Sequence, residues 1–123
     1  MLIQDYYIIK DSTPVHNATV FHIHLNENST VYQGHFPEKP VSPGVCNIQM
    51  IKECAENLCK KELRISNLRL CRLTTLITPQ THPDLDVTIQ LDETTNGIYK
   101  LQALIKKEEE ICVELKAELT IEK

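Results

Sequence analysis

One amphipathic segment limits the possible folds of this chain most, because elsewhere the apolar residues alternate with polar ones. From Val45 to about Lys61, apolar residues recur at the period of a helix and leave the opposite half polar. Ser42 and Pro43 fit the N-cap and the first helical position, and Lys60 and Lys61 put positive charge where the helix dipole favours it. The segment predicts one long helix, whose apolar half comprises Ile48, Met50, Ile51, Cys54, Ala55, Leu58 and Cys59.

Elsewhere the apolar residues alternate with polar ones, which is the period of a β-strand. Asn96-Gly97 predicts one turn and Lys107 to Glu110 another, each before a strand. Residues 64–78 are less regular but extended, and Leu2 to Ile9 fits either a first strand or a short helical lead-in. The clearest strands cover Thr19–Leu25, Val87–Leu91, Tyr99–Ile105 and Ile111–Ile121.

One apolar-faced helix among consecutive hairpin strands predicts an α+β fold, an antiparallel sheet wrapped around a long central helix. The length of 123 residues, without a shift in composition, indicates a single domain over residues 1–123. Edge strands and a half-apolar helix need further cover, which favours a dimer over a monomer.

Composition and charge argue against several classes of function. Apolar residues make up 41% and charged residues 24%, and the net charge of −4 argues against a nucleic-acid partner. The N-terminus lacks the features of a signal peptide, and no apolar run is long enough to insert in a membrane. Five cysteines without a C-x-x-C pair predict reduced thiols, no zinc site and a cytoplasmic location.

The loop before the helix carries the strongest signal for chemistry. It reads Gly34-His35-Phe36-Pro37-Glu38-Lys39-Pro40-Val41-Ser42-Pro43-Gly44-Val45. Its three prolines each fix φ and restrain the preceding residue, so the loop is rigid. A histidine held beside a helix N-terminus has a general base and a positive dipole close together.

This motif resembles the signature of the 3-hydroxyacyl-[acyl-carrier-protein] dehydratases of bacterial fatty acid synthesis, which have the hot-dog fold. The resemblance extends over the strand order from Asn67 to Ile121, and so over nearly the whole chain. It implies dehydration of a (3R)-3-hydroxyacyl thioester to the trans-2-enoyl product. The acyl chain would lie in an apolar tunnel between two subunits.

The resemblance also assigns roles to residues. His35 is the general base, the amides of Gly44 or Val45 polarise the thioester carbonyl, and Phe36 and Pro43 line the substrate site. The partner is an acyl carrier protein, whose phosphopantetheine carries the substrate, so no metal or cofactor of the enzyme's own is expected. Homodimers are expected, and some family members assemble these into hexamers as trimers of dimers.

One position departs from the family pattern. Fourteen residues after His35, where the family has a carboxylate from the other subunit, stands Gln49, and an amide cannot deliver a proton. Four residues later Glu53 stands where the family usually has glutamine. Because i and i+4 share a helix face, we hypothesise that Glu53 replaces the acid and Gln49 orients it. Otherwise Glu53 belongs to a solvated stripe with Glu56 and Lys60.

Other polar groups favour simpler interpretations. His22 and His24 face one side of a strand, but no third ligand is evident, so a solvated strand is favoured over a metal site. Cys46, in the first turn of the helix, is interpreted as a packing residue. A basic group fits either docking of an acidic carrier protein or ordinary surface charge, and consists of Lys60, Lys61, Arg64, Arg69 and Arg72.

Two alternatives to an independent dehydratase stay open. With Gln49 in the acid position, the chain could be a non-catalytic or weakly active acyl-binding subunit of a heteromeric dehydratase. A hot-dog thioesterase is the second alternative, although Gln49 argues against it equally and the histidine loop favours dehydration.

Overall fold

A computed structural model describes residues 5–32, 41–94 and 96–122. The described chain forms six strands and one α-helix, with a 3₁₀ turn at Thr30–Tyr32. The strands build one antiparallel sheet in the order β1-β2-β4-β5-β6-β3, and the helix contacts β3 and β4. In chain order the elements are β1 Tyr7–Val15, β2 Ala18–Leu25, α1 Gly44–Cys59, β3 Leu63–Leu73, β4 Asp84–Glu93, β5 Ile98–Lys107 and β6 Glu110–Ile121. This arrangement agrees with the predicted α+β, hot-dog-like architecture.

The alternating strands bury most of the apolar residues that the sequence pattern predicted. On β2, Phe21, Ile23 and Leu25 are buried, and β4 and β5 alternate in the same way over most of their length. On β6 the alternation runs from Val113 to Leu119, and Ile111 and Ile121 near its ends are exposed. Antiparallel pairing places these apolar side chains next to one another on neighbouring strands, as with Ile89 opposite Ala103. The result is one continuous core shared by the sheet and the helix.

Both edge strands carry irregularities in their pairing, and one further register shift lies between β5 and β6. A register shift interrupts β1 between Ile9 and Asp11, and two more interrupt β3. Bulges of this kind are common at sheet edges, where they discourage pairing with other chains. Even so, β3 leaves Leu68 and Leu73 nearly half exposed.

The ends of the helix differ from the prediction. Pro43, not Ser42, occupies the N-cap position, and no side chain caps the helix. The Ser42 hydroxyl instead forms a 2.9 Å hydrogen bond with the Tyr32 hydroxyl, so the predicted cap was wrong because a tertiary partner engages that side chain. At the other end Lys60 is left-handed and donates its N–H to the Glu56 carbonyl at 2.8 Å.

The N-terminal strand is longer than the sequence suggested. Residues up to 4 lie outside the described part, but β1 runs from Tyr7 past Pro14 to Val15. A proline is tolerated there because β1 is an edge strand and its free side needs no donor. The turn to β2 contains Asn17 with a positive φ of 63°, a conformation that asparagine adopts more readily than most residues.

The outer face of the sheet carries the histidines that the sequence had singled out. His22 Nδ1 lies 2.7 Å from an Asp86 oxygen, and His24 Nδ1 lies 2.9 Å from an Asp84 oxygen. These are cross-strand contacts on a partly solvated surface. Separately, none of the described helices has the length and apolar character needed to cross a membrane.

Candidate active site

The start of α1 presents two backbone amides. The Pro43 carbonyl accepts hydrogen bonds from the amides of Cys46 and Asn47, at 3.0 and 3.2 Å. The amides of Gly44 and Val45 precede them, and within the described chain they donate to no acceptor. Both residues are exposed. A helix N-terminus with free N–H groups and positive potential suits a developing negative charge on oxygen.

Two predicted site residues cannot be placed. His35 and Phe36 lie outside the described residues, so their roles stay predictions. The described chain resumes at Val41, just before the helix. The amide of Ser42 donates to the Ile77 carbonyl at 2.8 Å, which ties the end of the loop to the connection between β3 and β4.

Glu53 occupies the interior of the molecule. Only 7% of its surface is exposed, in contrast to the solvated stripe that the helical wheel suggested, so that interpretation was wrong. Its Oε1 accepts a 2.7 Å hydrogen bond from the Tyr7 hydroxyl, and its Oε2 accepts a 2.8 Å hydrogen bond from Gln49 Nε2. The structure therefore brings Gln49 and Glu53 together and fixes both carboxyl oxygens.

Tyr7 was missed by the sequence analysis. It lies 46 positions before Glu53, and nothing in an apolar run at the N-terminus identifies a hydrogen-bond donor. Burial, and then the hydrogen bond to Glu53, raise the pKa of its phenol well above the ordinary value. Tyr7 therefore remains protonated at neutral pH and acts as a permanent donor to the carboxyl group.

Burial affects two of the cysteines on α1, Cys46 and Cys54. Burial raises the pKa of Cys54 to about 12, and the neighbouring Glu53 charge adds to the effect. Burial also raises the pKa of Cys46, despite its place in the first helical turn. Both thiols stay protonated at neutral pH, which fits the predicted packing role.

A cavity of about 310 Å³ reaches Glu53 from outside. It lies between β1 and the C-terminal half of α1, and Tyr7 and Glu53 form part of its wall. The exposed Lys60 and Lys61 also line it. A buried carboxyl group that borders an open cavity can meet a ligand, whereas one enclosed in the core cannot. The remaining lining residues are Ile9, Glu56, Asn57 and Glu62.

A second polar group lies nearer the helix start. The Tyr6 hydroxyl donates to Asn47 Oδ1 at 2.7 Å, and both residues are buried. Burial raises the pKa of Tyr6 well above its ordinary value. Asn47 Nδ2 has no hydrogen-bond partner among the described residues. This group is neutral throughout, unlike the one around Glu53.

The predicted basic group separates into two parts. Lys60 and Lys61 lie at the end of α1, while Arg64, Arg69 and Arg72 lie on β3, and all five are exposed. Arg69 pairs with Glu118 at 3.1 Å and Arg72 with Glu114 at 3.3 Å, so much of that charge is balanced within β3 and β6.

Solved structures share this fold. A chain of the dehydratase heterocomplex ApeI:P from Xenorhabdus doucetiae matches with a TM-score of 0.71 and 19% identity, over 92% of this chain and 96% of that one. An uncharacterized protein from Erwinia carotovora subsp. atroseptica matches with a TM-score of 0.58 and 15% identity, over 93% of each chain. No curated protein shows a significant sequence match.

A family comparison is more specific than these structural likenesses. The ApeI-like family, described as ApeI dehydratase, matches residues 11–116. The predicted resemblance is thus confirmed at the level of a hot-dog-type dehydratase, although the family is not the one of fatty acid synthesis that the motif suggested. The chain belongs to the ApeI-like dehydratase family.

Proposed function

We propose that this protein dehydrates a (3R)-3-hydroxyacyl thioester, carried by an acyl carrier protein, to the trans-2-enoyl thioester and water. Family membership supports dehydration in general, and the resemblance of the His35 loop supports the thioester substrate. The observation that carries the proposal is the buried carboxyl group of Glu53, one helical turn after Gln49 and bonded to it at 2.8 Å.

The reaction needs one base and one acid. His35 takes the proton from the α-carbon, and the electrons of that C–H bond form the double bond to the β-carbon as the β-C–O bond breaks. Negative charge that develops on the thioester oxygen meets the amides of Gly44 and Val45. The hydroxyl group takes a proton from Glu53 and leaves as water, and the proton on His35 then restores the carboxyl group.

Glu53 suits the acid role better than Gln49 for a chemical reason. A carboxyl group can give up a proton, whereas a glutamine amide only donates or accepts a hydrogen bond. Gln49 and Tyr7 hold one carboxyl oxygen each, so the geometry of the acid is fixed before substrate binds. Preorganisation of this kind lowers the cost of reaching the transition state.

The length of the helix indicates which subunits form one site. Glu53 lies nine residues after Gly44, which is about 13 Å along a helix axis at 1.5 Å per residue. That separation exceeds the distance between a thioester carbonyl and its own β-hydroxyl group. We therefore assign the helix start and the acid of each site to different subunits of a dimer.

Lys60 and Lys61 are the preferred contacts for the carrier protein. They line the cavity that reaches Glu53, and the charges of Arg69 and Arg72 are already balanced by glutamates. Replacing both lysines by glutamate should weaken binding of an acidic carrier protein more than the same change at both arginines. Equal effects of the two reversals would remove the preference.

A heteromeric assembly is the second candidate. The structural match from Xenorhabdus doucetiae is described as a dehydratase heterocomplex, and Gln49 in the usual acid position is what a subunit without its own acid would have. In that case the chain would bind the acyl group and complete a site with another hot-dog subunit.

Turnover of a 3-hydroxyacyl carrier protein distinguishes these proposals. We expect the purified protein to form the enoyl product and His35→Ala to abolish it. An inactive wild type that gains activity in Gln49→Glu would favour the partner subunit. Activity that persists in His35→Ala would contradict the proposed mechanism.

A further inference from the structure

The fold brings three metal-binding side chains together away from the proposed active site. They are His82, in the connection between β3 and β4, and Glu110 and Cys112, at the start of β6. One ligand atom from each lies within 4.8 Å of the others. The sequence analysis predicted no metal site, because His82 is isolated in the sequence and only the sheet places the β5–β6 hairpin beside it.

We propose that His82, Glu110 and Cys112 bind a divalent transition-metal ion, with Zn²⁺ as the preferred ion. Nitrogen, sulfur and carboxylate oxygen are the ligands that zinc takes in proteins, at about 2.0–2.3 Å. In a tetrahedral site such bonds set neighbouring ligand atoms about 3.5 Å apart. His82 Nε2 and Glu110 Oε1 already lie 3.5 Å apart.

The surroundings of His82 favour this role. The residue is 7% exposed, and its Nδ1 lies 2.7 Å from the Thr81 hydroxyl. In the metal-bound state the Thr81 hydroxyl would accept a hydrogen bond from Nδ1–H, which fixes the ring and leaves the Nε2 lone pair for the ion, as the outer partners of metal-binding histidines do. The Thr81 hydroxyl in turn lies 2.5 Å from that of Thr78, which holds it in place.

Access and charge also fit a three-residue site. Cys112 is fully buried, whereas the Glu110 side chain is 52% exposed, so an ion can enter from the glutamate side. Binding would release the thiol proton of Cys112 to solvent as the metal–sulfur bond forms. Lys107 lies nearby and donates to the Thr81 carbonyl at 2.6 Å, so its charge opposes the ion. Water would occupy the fourth position.

The bound ion would restrain the connection between β3 and β4, which also hydrogen-bonds to the segment just before α1. The amides of Thr74 and Thr75 donate to the Cys112 carbonyl, at 2.9 and 3.4 Å. Further along the same connection, the Ile77 carbonyl accepts the amide of Ser42 just before α1. A metal at His82 and Cys112 would therefore fix both ends of the segment on which the end of the active-site loop rests.

Cobalt provides a direct test on the reduced full-length protein, since Co²⁺ bound to a thiolate absorbs in the near ultraviolet. We expect saturation at one equivalent of CoCl₂, displacement by ZnSO₄, and an increase in melting temperature with ZnSO₄. Cys112→Ser should abolish the sulfur band, and His82→Gln should weaken binding by more than about 100-fold. Thr81→Val, which removes only an outer partner, should weaken it by roughly 10-fold.

One control variant and two variants that change the charge near the site keep the outcome clear. Cys71→Ser removes an exposed thiol elsewhere on the sheet and should leave the cobalt spectrum unchanged. Glu110→Gln changes a half-exposed side chain that should not affect folding, yet it should weaken binding, while Lys107→Gln should strengthen it. No sulfur band at one equivalent, or a band that survives in both His82→Gln and Glu110→Gln, would overturn the proposal.

Discussion

Two carboxylates of this protein occupy opposite surroundings. Glu53 is buried and accepts hydrogen bonds from two neutral groups, Tyr7 and Gln49. Asp84, on the outer face of the sheet, is 58% exposed and pairs with Lys10 and His24, each at 2.9 Å. Both side chains have hydrogen-bond partners, but Glu53 is shielded from water and Asp84 is not. This exposure to water decides how much each contact contributes to stability.

The difference in exposure makes the contacts of Glu53 and Asp84 unequal in energy. An exposed ion pair exchanges water contacts for protein contacts and gains little. A buried carboxyl group that loses a hydrogen-bond donor has no water to replace it, so the loss of either donor lowers stability. Each hydrogen bond to Glu53 should therefore contribute more to stability than the exposed ion pairs of Asp84 do.

The largest stability effect should follow from Tyr7→Phe. Removal of the hydroxyl takes a donor from a buried carboxyl group, and we expect the free energy of unfolding to fall by about 1.5–3 kcal/mol. Urea denaturation measures the change. Tyr99→Phe is the matched control, since the Tyr99 hydroxyl has no hydrogen-bond partner in the described chain. Equal losses in the two variants would mean that the Glu53 contact contributes nothing.

Tyr6→Phe should have a smaller effect. Its hydroxyl donates to Asn47, which is buried but neutral, so we expect a loss of about 1 kcal/mol in the free energy of unfolding. The same urea experiment compares it with Tyr7→Phe. A loss greater than that of Tyr7→Phe would contradict the claim that the buried carboxyl group of Glu53 sets the difference.

Asp84→Asn should have the smallest effect, and a specific pH dependence. Hydrogen bonds from Lys10 and then His24 lower the pKa of Asp84. Because the folded-state pKa is depressed, its contribution is present above the unfolded pKa of about 3.9 and is lost as the pH falls through the folded value. Unfolding curves of wild type and variant should therefore converge in acid. They should also converge in 1 M NaCl, which screens exposed charges.

A stability difference between wild type and Asp84→Asn that persisted in acid and in high salt would not be electrostatic. It would mean that the outer-face group contributes through packing, and the contrast with Glu53 would then be weaker than proposed.

Much of the fold was predictable because the spacing of apolar residues along strands and along the helix reflects which side chains are buried. Four strands and the helix follow from that pattern, and the turn at Gly97 follows from its composition. The site was less predictable because its contacts join distant elements. The burial of Glu53 depends on β1, and the cap expected from Ser42 was replaced by a contact with Tyr32.

The metal-binding cluster shows the same limit. Glu110 and Cys112 are close in the sequence, but His82 lies 28 residues before Glu110, and the pairing of β6 with β3 and β5 sets these two residues beside the connection that holds His82. Spacing rules identify sites made by one loop or one helix, but they do not detect sites that a sheet assembles.

The most direct test of the central claim is dehydration of a 3-hydroxyacyl carrier protein by Glu53→Gln, beside Glu62→Gln. Glu62 lines the same cavity but is exposed, so it controls for the replacement of a carboxyl group by an amide in that cavity. If Glu53 is the acid, kcat should fall by roughly 10²–10⁴ in Glu53→Gln and remain near the wild-type value in Glu62→Gln. Full activity in a folded Glu53→Gln variant would show that the acid lies elsewhere.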